Sequence, residues 1–127
     1  MTTSPIKLAD LDGTDGFRID GVAPYDISGV SVSAAGDVND DGIDDIVIGA
    51  SNADPGIYGS DAGSSYVVFG TEQGFIPSLE LADIDGTNGF RIDGAAVDQR
   101  SGRSVSAAGD VNGDGVDDIV VGAYNAS

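Results

Sequence analysis

The densest chemistry in the chain lies in two short acidic stretches. Asp37-Val38-Asn39-Asp40-Asp41-Gly42-Ile43-Asp44-Asp45 holds five carboxylates and an amide, and Asp110-Val111-Asn112-Gly113-Asp114-Gly115-Val116-Asp117-Asp118 repeats the phrase. Numbered from the first aspartate, side-chain oxygens recur at positions 1, 3, 5 and 9: Asp37, Asn39, Asp41 and Asp45, then Asp110, Asn112, Asp114 and Asp118. Oxygens at alternate positions of a curling loop converge on one point. Gly42 and Gly115 at position 6 permit the sharp turn, and position 7, Ile43 or Val116, offers its backbone carbonyl. With water, that set reaches the 6–8 oxygens that Ca2+ takes, so two calcium sites are expected.

The spacing excludes one familiar calcium loop. An EF-hand closes with a bidentate Glu at position 12, and here position 12 is Ile48 or Val121, inside an apolar run. Position 4 is Asp40 in one copy and Gly113 in the other, which argues against a ligand there. Position 8, Asp44 or Asp117, points away from position 9 at a strand entry and is assigned a supporting or solvated role. The plain alternative is a pair of Asp-Gly hairpin turns without metal. Two copies sharing positions 1, 3, 5 and 9 weigh against it, as does the mutual repulsion of three converging carboxylates. A second phrase, Asp10–Gly16 with its copy Asp83–Gly89, lacks the alternating oxygens and reads as a turn; Arg18 and Arg91 beside it read as surface ion-pair partners. Paired carboxylates also serve acid–base hydrolysis, but the chain has no His and no Cys and no Lys constellation beside the acids. No catalytic residue is assigned, and the chain is read as not an enzyme.

The elements that must hold these loops are organised by a repeat. Shifting the chain by 73 residues aligns Leu8–Asp54 with Leu81–Ser127, with 34 of 47 pairs identical. Residues 1–127 thus form one tandem array, a unit over 8–80 and a partial second unit over 81–127. The patch Pro24–Ile27 against Val97–Arg100 diverges and reads as a variable loop. Phe17–Asp20 and Val30–Ala35 alternate apolar and small or polar residues, as half-buried strands do. Asp45–Gly49 is apolar on both faces, so it is expected to be buried on both, and Ser65–Phe69 is a fourth strand. No window shows a helical stripe. Four strands per unit at this period predict an all-β fold of four-stranded antiparallel β-propeller blades, about two of them. Such a propeller is incomplete, either open or completed by association, and its exposed blade edges invite self-association.

Charge narrows the partners. There are 22 acidic residues against 5 basic ones, a net charge of −17. That repels nucleic acid and anionic membrane and favours cations. Of the acids 20 are Asp, the turn- and metal-loop-forming one. No apolar stretch is long enough to insert in a membrane, and the N-terminal MTTSPIKLAD has no apolar signal core.

The phrases GDVNDDGIDDIVIGA and GDVNGDGVDDIVVGA, with AGSSYVVFG at Ala62–Gly70, resemble the FG-GAP repeats of integrin alpha-chain β-propellers. The 73-residue period and DGTDGFRIDG are most similar to bacterial members. The resemblance implies four-stranded blades whose Asp loops join two strands and bind calcium through Asp37, Asn39, Asp41, Ile43 and Asp45, and through Asp110, Asn112, Asp114, Val116 and Asp118. It departs at Ser28-Gly29 and Ser101-Gly102, where Phe-Gly is expected, and at Gly49-Ala50-Ser51 and Gly122-Ala123-Tyr124, where Gly-Ala-Pro is. The function it implies is a calcium-binding structural or adhesion module, extracellular or at the cell surface, compatible with a protein or glycan ligand. The alternative is the non-catalytic propeller portion of a larger secreted enzyme such as a hydrolase.

Overall fold

A computed structural model describes residues 5–56 and 60–126. The first four residues of the N-terminal stretch, residues 57–59 of the single-copy segment and Ser127 at the end of the repeat alignment lie outside the described residues. Among the described residues eight strands run in order: β1 (Arg18–Asp20), β2 (Ser28–Gly36), β3 (Asp45–Ala50), β4 (Ser64–Val68), β5 (Ser78–Glu80), β6 (Gly89–Asp93), β7 (Ser101–Gly109) and β8 (Asp118–Ala123). The helical content among the described residues is two three-residue 3-10 turns, Leu8–Asp10 and Leu81–Asp83.

One blade is complete. Its sheet runs β2-β3-β4-β6, antiparallel throughout. It therefore takes its outermost strand from the second sequence unit, because β6 is the copy of β1 and pairs with β4, the Tyr-Val-Val strand that occurs once. The two strands β7 and β8 pair antiparallel as the start of a second blade. The copies agree in detail: register shifts fall between Ser28/Ser31 and Ala34/Gly36 in β2, and between Ser101/Ser104 and Ala107/Gly109 in β7. Such bulges kink a strand and redirect the chain beyond it; here the second one directly precedes the acidic loop.

β1 departs from the blade scheme. Instead of an antiparallel blade partner it pairs in parallel with β5, Arg18 opposite Ser78 and Asp20 opposite Glu80. The sequence pattern did not reveal β5, which is three residues long beside Pro77. The Pro77–Glu80 backbone supplies the partners that the β1 backbone needs, beginning with the Pro77 carbonyl, which accepts the Arg18 N–H at 2.9 Å.

β3 is buried on both faces, as its continuous apolar run predicts. On one face Ile48, Ala50, Tyr66 and Val68 pack with Leu81, flanked by Ile19, Phe75, Leu79 and Ile84. On the other, Ala35, Val47 and Val67 meet Val105 and Ile119 of the second blade. Gly49 lets the blades close: a Cβ there would collide with the Gly102 carbonyl.

Candidate metal centres

Both acidic stretches are hairpin loops at the same place in the fold. The first joins β2 to β3 and the second joins β7 to β8, so position 9 is in each case the first residue of a strand. Positions 4 and 6 both have positive φ: Asp40 60° and Gly42 83°, Gly113 74° and Gly115 87°. Asp and Gly are the residues that tolerate such backbone, which explains the Asp/Gly exchange at position 4 without a ligand role.

Within the loops, carboxylates fold the backbone onto themselves. Asp37 accepts the N–H of Asp41 at 3.1 Å and of Gly42 at 2.7 Å. Asp110 accepts those of Gly113, Asp114 and Gly115 at 2.9, 3.1 and 2.8 Å. Asp41 and Asp114 accept from the residue at position 7 at 2.9 and 3.0 Å. The Gly115 N–H above all holds the Asp110 carboxyl below the ordinary carboxylate range. Burial raises that of Asp37, but the N–H groups of Gly42, Asp41 and Asp40 outweigh it and the net direction is down. Both groups are thus anionic and their oxygens aligned.

The two loops differ in how far their carboxylates converge. Asp110, Asp114 and Asp118 each place a carboxylate oxygen within 4.8 Å of the others, the one such group among the described residues. Asn112 lies in the same loop and its Oδ1 accepts the Asp114 N–H at 3.3 Å. In the first loop Asp37, Asp41 and Asp45 do not gather as closely. Asp45 differs from its copy Asp118 in burial and partners: it is 2% exposed. One of its oxygens accepts the Val38 N–H at 2.8 Å and the other the Gly70 N–H at 2.8 Å, just past β4. Asp118 makes only the first of these bonds, to Val111 at 2.9 Å. The three converging carboxylates of the second loop, with the Asn112 amide in the same loop, are hard oxygen donors of the kind that calcium takes.

Position 8 has a role the sequence signalled only by being acidic in both copies. The Asp117 carboxylate accepts the Asp37 N–H at 2.9 Å, and the Asp117 N–H lies 3.3 Å from the Asp37 carbonyl. The second loop therefore grips the first across the blade boundary. Asp44, its counterpart, is exposed. The Asp10–Gly16 phrase is a turn, as expected. Asp12 accepts the Thr14 N–H at 2.9 Å and the Thr14 hydroxyl at 2.7 Å, and Asp85 repeats this with Thr87 at 2.9 and 2.6 Å. The repeated arginines form surface pairs, Arg18 with Asp20 at 2.6 Å and Arg91 with Asp93 at 2.7 Å.

An antiparallel blade with an acidic hairpin loop, repeated face to face, defines an all-β propeller-type repeat protein. The FG-GAP repeat model matches residues 28–68 and 101–127, that is, β2 through β4 and then β7 with β8. The chain belongs to the FG-GAP repeat family. It is also similar to Integrin alpha pat-2 of Caenorhabditis elegans, 36% identical over 98 residues, which is 77% of this chain and 7% of that protein. The chain thus spans a small part of that relative's length. No helix among the described residues is long and apolar enough to cross a membrane.

Proposed function

We propose that this chain is a calcium-stabilised propeller repeat module that acts by binding, outside the cell or at its surface, and has no catalytic role. The observation that carries the reading is the convergence of Asp110, Asp114 and Asp118 within 4.8 Å at a hairpin turn, in a loop whose sequence recurs 73 residues earlier. Asp110, Asn112, Asp114, the Val116 carbonyl and Asp118 would hold one ion. Asp37, Asn39, Asp41, the Ile43 carbonyl and Asp45 would hold the other. A cation there neutralises clustered carboxylates and pins the turn that leads into a core strand, so binding adds directly to folding stability. The integrin relative supports a surface-exposed setting and a role in interaction rather than chemistry.

The test is calorimetric melting with excess calcium and with chelator. At about 100 times the dissociation constant, one site adds about 2.7 kcal/mol. For a domain of this size that is an upward shift on the order of 10 °C. Asp114→Asn is expected to remove most of the shift, since the second loop is the better preorganised. A melting temperature indifferent to both calcium and chelator overturns the proposal.

A further inference from the structure

Two Asn-Gly pairs stand in the chain, Asn88-Gly89 and Asn112-Gly113. Asparagine is a thermally labile residue, and it is most labile before glycine. The backbone nitrogen of the next residue attacks the side-chain amide carbon, and a residue without a Cβ lets the five-membered ring close freely. Along the chain the two pairs are equivalent, but the fold treats them differently.

Gly89 opens β6 and is buried, opposite Val68 in the β4–β6 ladder. A Cβ there would collide with the Val67 carbonyl, so this backbone has no room to swing toward a side chain. The Asn88 side chain is tied at both ends: its Oδ1 accepts the Asp85 N–H at 3.0 Å and its Nδ2 donates to the Asp83 carbonyl at 3.1 Å. Asn112 and Gly113 are instead both exposed at a loop tip, and a Cβ on Gly113 would meet nothing within 4 Å. The Asn112 Oδ1 accepts the Asp114 N–H at 3.3 Å, which polarises the amide carbonyl and stabilises the oxyanion that attack creates. The Gly113 N–H that must be lost points at the Asp110 carboxylate, 2.9 Å away. The first loop shows that such a tip stays accessible beside a neighbour: Asn39 is exposed although Asp117 of the second blade grips its loop. Asn39 is followed by Asp40, whose side chain crowds the ring and whose charge opposes a nitrogen anion. Its Nδ2, the leaving nitrogen, is held by Asp41 at 3.3 Å.

We propose that Asn112 is a self-modifying site, converted to aspartate and isoaspartate through a cyclic imide with Gly113, while Asn88 and Asn39 keep their amides. The Gly113 nitrogen bonds to Asn112 Cγ, the Cγ–Nδ2 bond breaks, and the Gly113 proton leaves with the amide nitrogen as ammonia. Water then opens the imide at either carbonyl. Opening at the former side-chain carbonyl gives aspartate. Opening at the Asn112 main-chain carbonyl gives isoaspartate: the backbone now runs through the former side chain, one methylene longer, and loop positions 4 to 9 shift against position 1. The second loop then loses its cation site, a consequence that rests on the calcium reading; the conversion itself does not.

Peptide mass mapping of the full chain, held in chelator at physiological temperature and pH, tests the proposal. Asn112 is expected to gain the mass of an amide-to-acid exchange and to yield isoaspartate, while the Asn88 and Asn39 peptides stay unchanged over the same interval. In concentrated urea Asn88 is expected to convert alongside Asn112, because there only the Asn-Gly sequence counts. Gly113→Asp copies the first loop and is expected to slow conversion in the folded chain by roughly a factor of ten, about 1.4 kcal/mol of barrier. Aged protein is expected to lose its calcium-induced melting shift in proportion to its isoaspartate. An Asn112 that keeps its amide in the folded chain while converting in urea overturns the proposal. So does an Asn88 that matches Asn112 in the folded chain, or one that resists in urea. The mass readout needs no metal, so its failure tells against this proposal alone, and the absence of a calcium shift in fresh protein tells against the calcium reading alone.

Discussion

Two aspartates at the same loop position, Asp45 and Asp118, are expected to behave differently when metal is absent. Asp45 accepts two backbone N–H groups in a buried site, and replacement by Asn turns an amide NH2 against one of them. An unsatisfied buried donor costs about 1–3 kcal/mol, so Asp45→Asn is expected to lower stability by that amount in chelator, read from urea denaturation. Asp118 makes one such bond in a more open site, and Asp118→Asn is expected to cost less in chelator and to show its main effect on calcium binding. The turn aspartates set an acid limit. Thr14 and Thr87 hydroxyls and N–H groups hold Asp12 and Asp85 below the ordinary carboxylate range. Depressed carboxyls bind fewer protons folded than unfolded, so their stabilisation is present above the unfolded value, about 3.9, and is lost as pH falls below it through the folded values. Asp26, raised by burial, works in the opposite sense. Asp12→Asn is expected to flatten the fall in urea midpoint below about pH 4, and a slope identical to wild type would refute the assignment. The Arg18–Asp20 pair is exposed, and a double-mutant cycle is expected to give a small coupling that fades as salt is added.

At the scale of elements, β3 carries the molecule. Ile48 is 4% exposed beneath Leu81, Tyr66 and Val68, and Ile48→Ala is expected to cost about 2–5 kcal/mol as lost burial plus cavity. Gly49→Ala acts differently: its methyl would press on the Gly102 carbonyl and force the two blades apart. It is expected to destabilise the protein although it adds apolar surface, measured by the same denaturation series. The strands β2, β3 and β4 were legible because alternation and an uninterrupted apolar run report burial directly. β5 was not, because three residues beside a proline carry no periodicity. Its strand state depends on what lies next to it in space, here the unpaired edge of β1.

For the whole molecule the two blades are expected to behave as one unit. The Asp117 carboxylate holds the Asp37 N–H at 2.9 Å, Gly102 sits against Gly49, and Val105 packs on the cluster of Val47 and Val67. Asp117→Ala is expected to lower the urea midpoint while leaving a single transition; two separate transitions would refute the coupling.

What the sequence determined alone was local and repeated: the alternating oxygens of the acidic loops, the absence of a Glu at position 12, where Ile48 and Val121 stand, the strands around the loops and the 73-residue spacing of the copies. Each depends on neighbours within a few residues, or on identity between copies, and both are visible along the chain. What only the tertiary structure decided was which copies meet. It assigned β6 to the first blade, sent β1 to β5, and drew Asp45 to the Gly70 N–H while leaving Asp118 open. It also turned Asp117, a bystander in its own loop, into the clasp on Asp37. Those outcomes depend on unpaired edges and close backbone approaches between segments up to 80 residues apart, where spacing along the chain holds no information about distance in space.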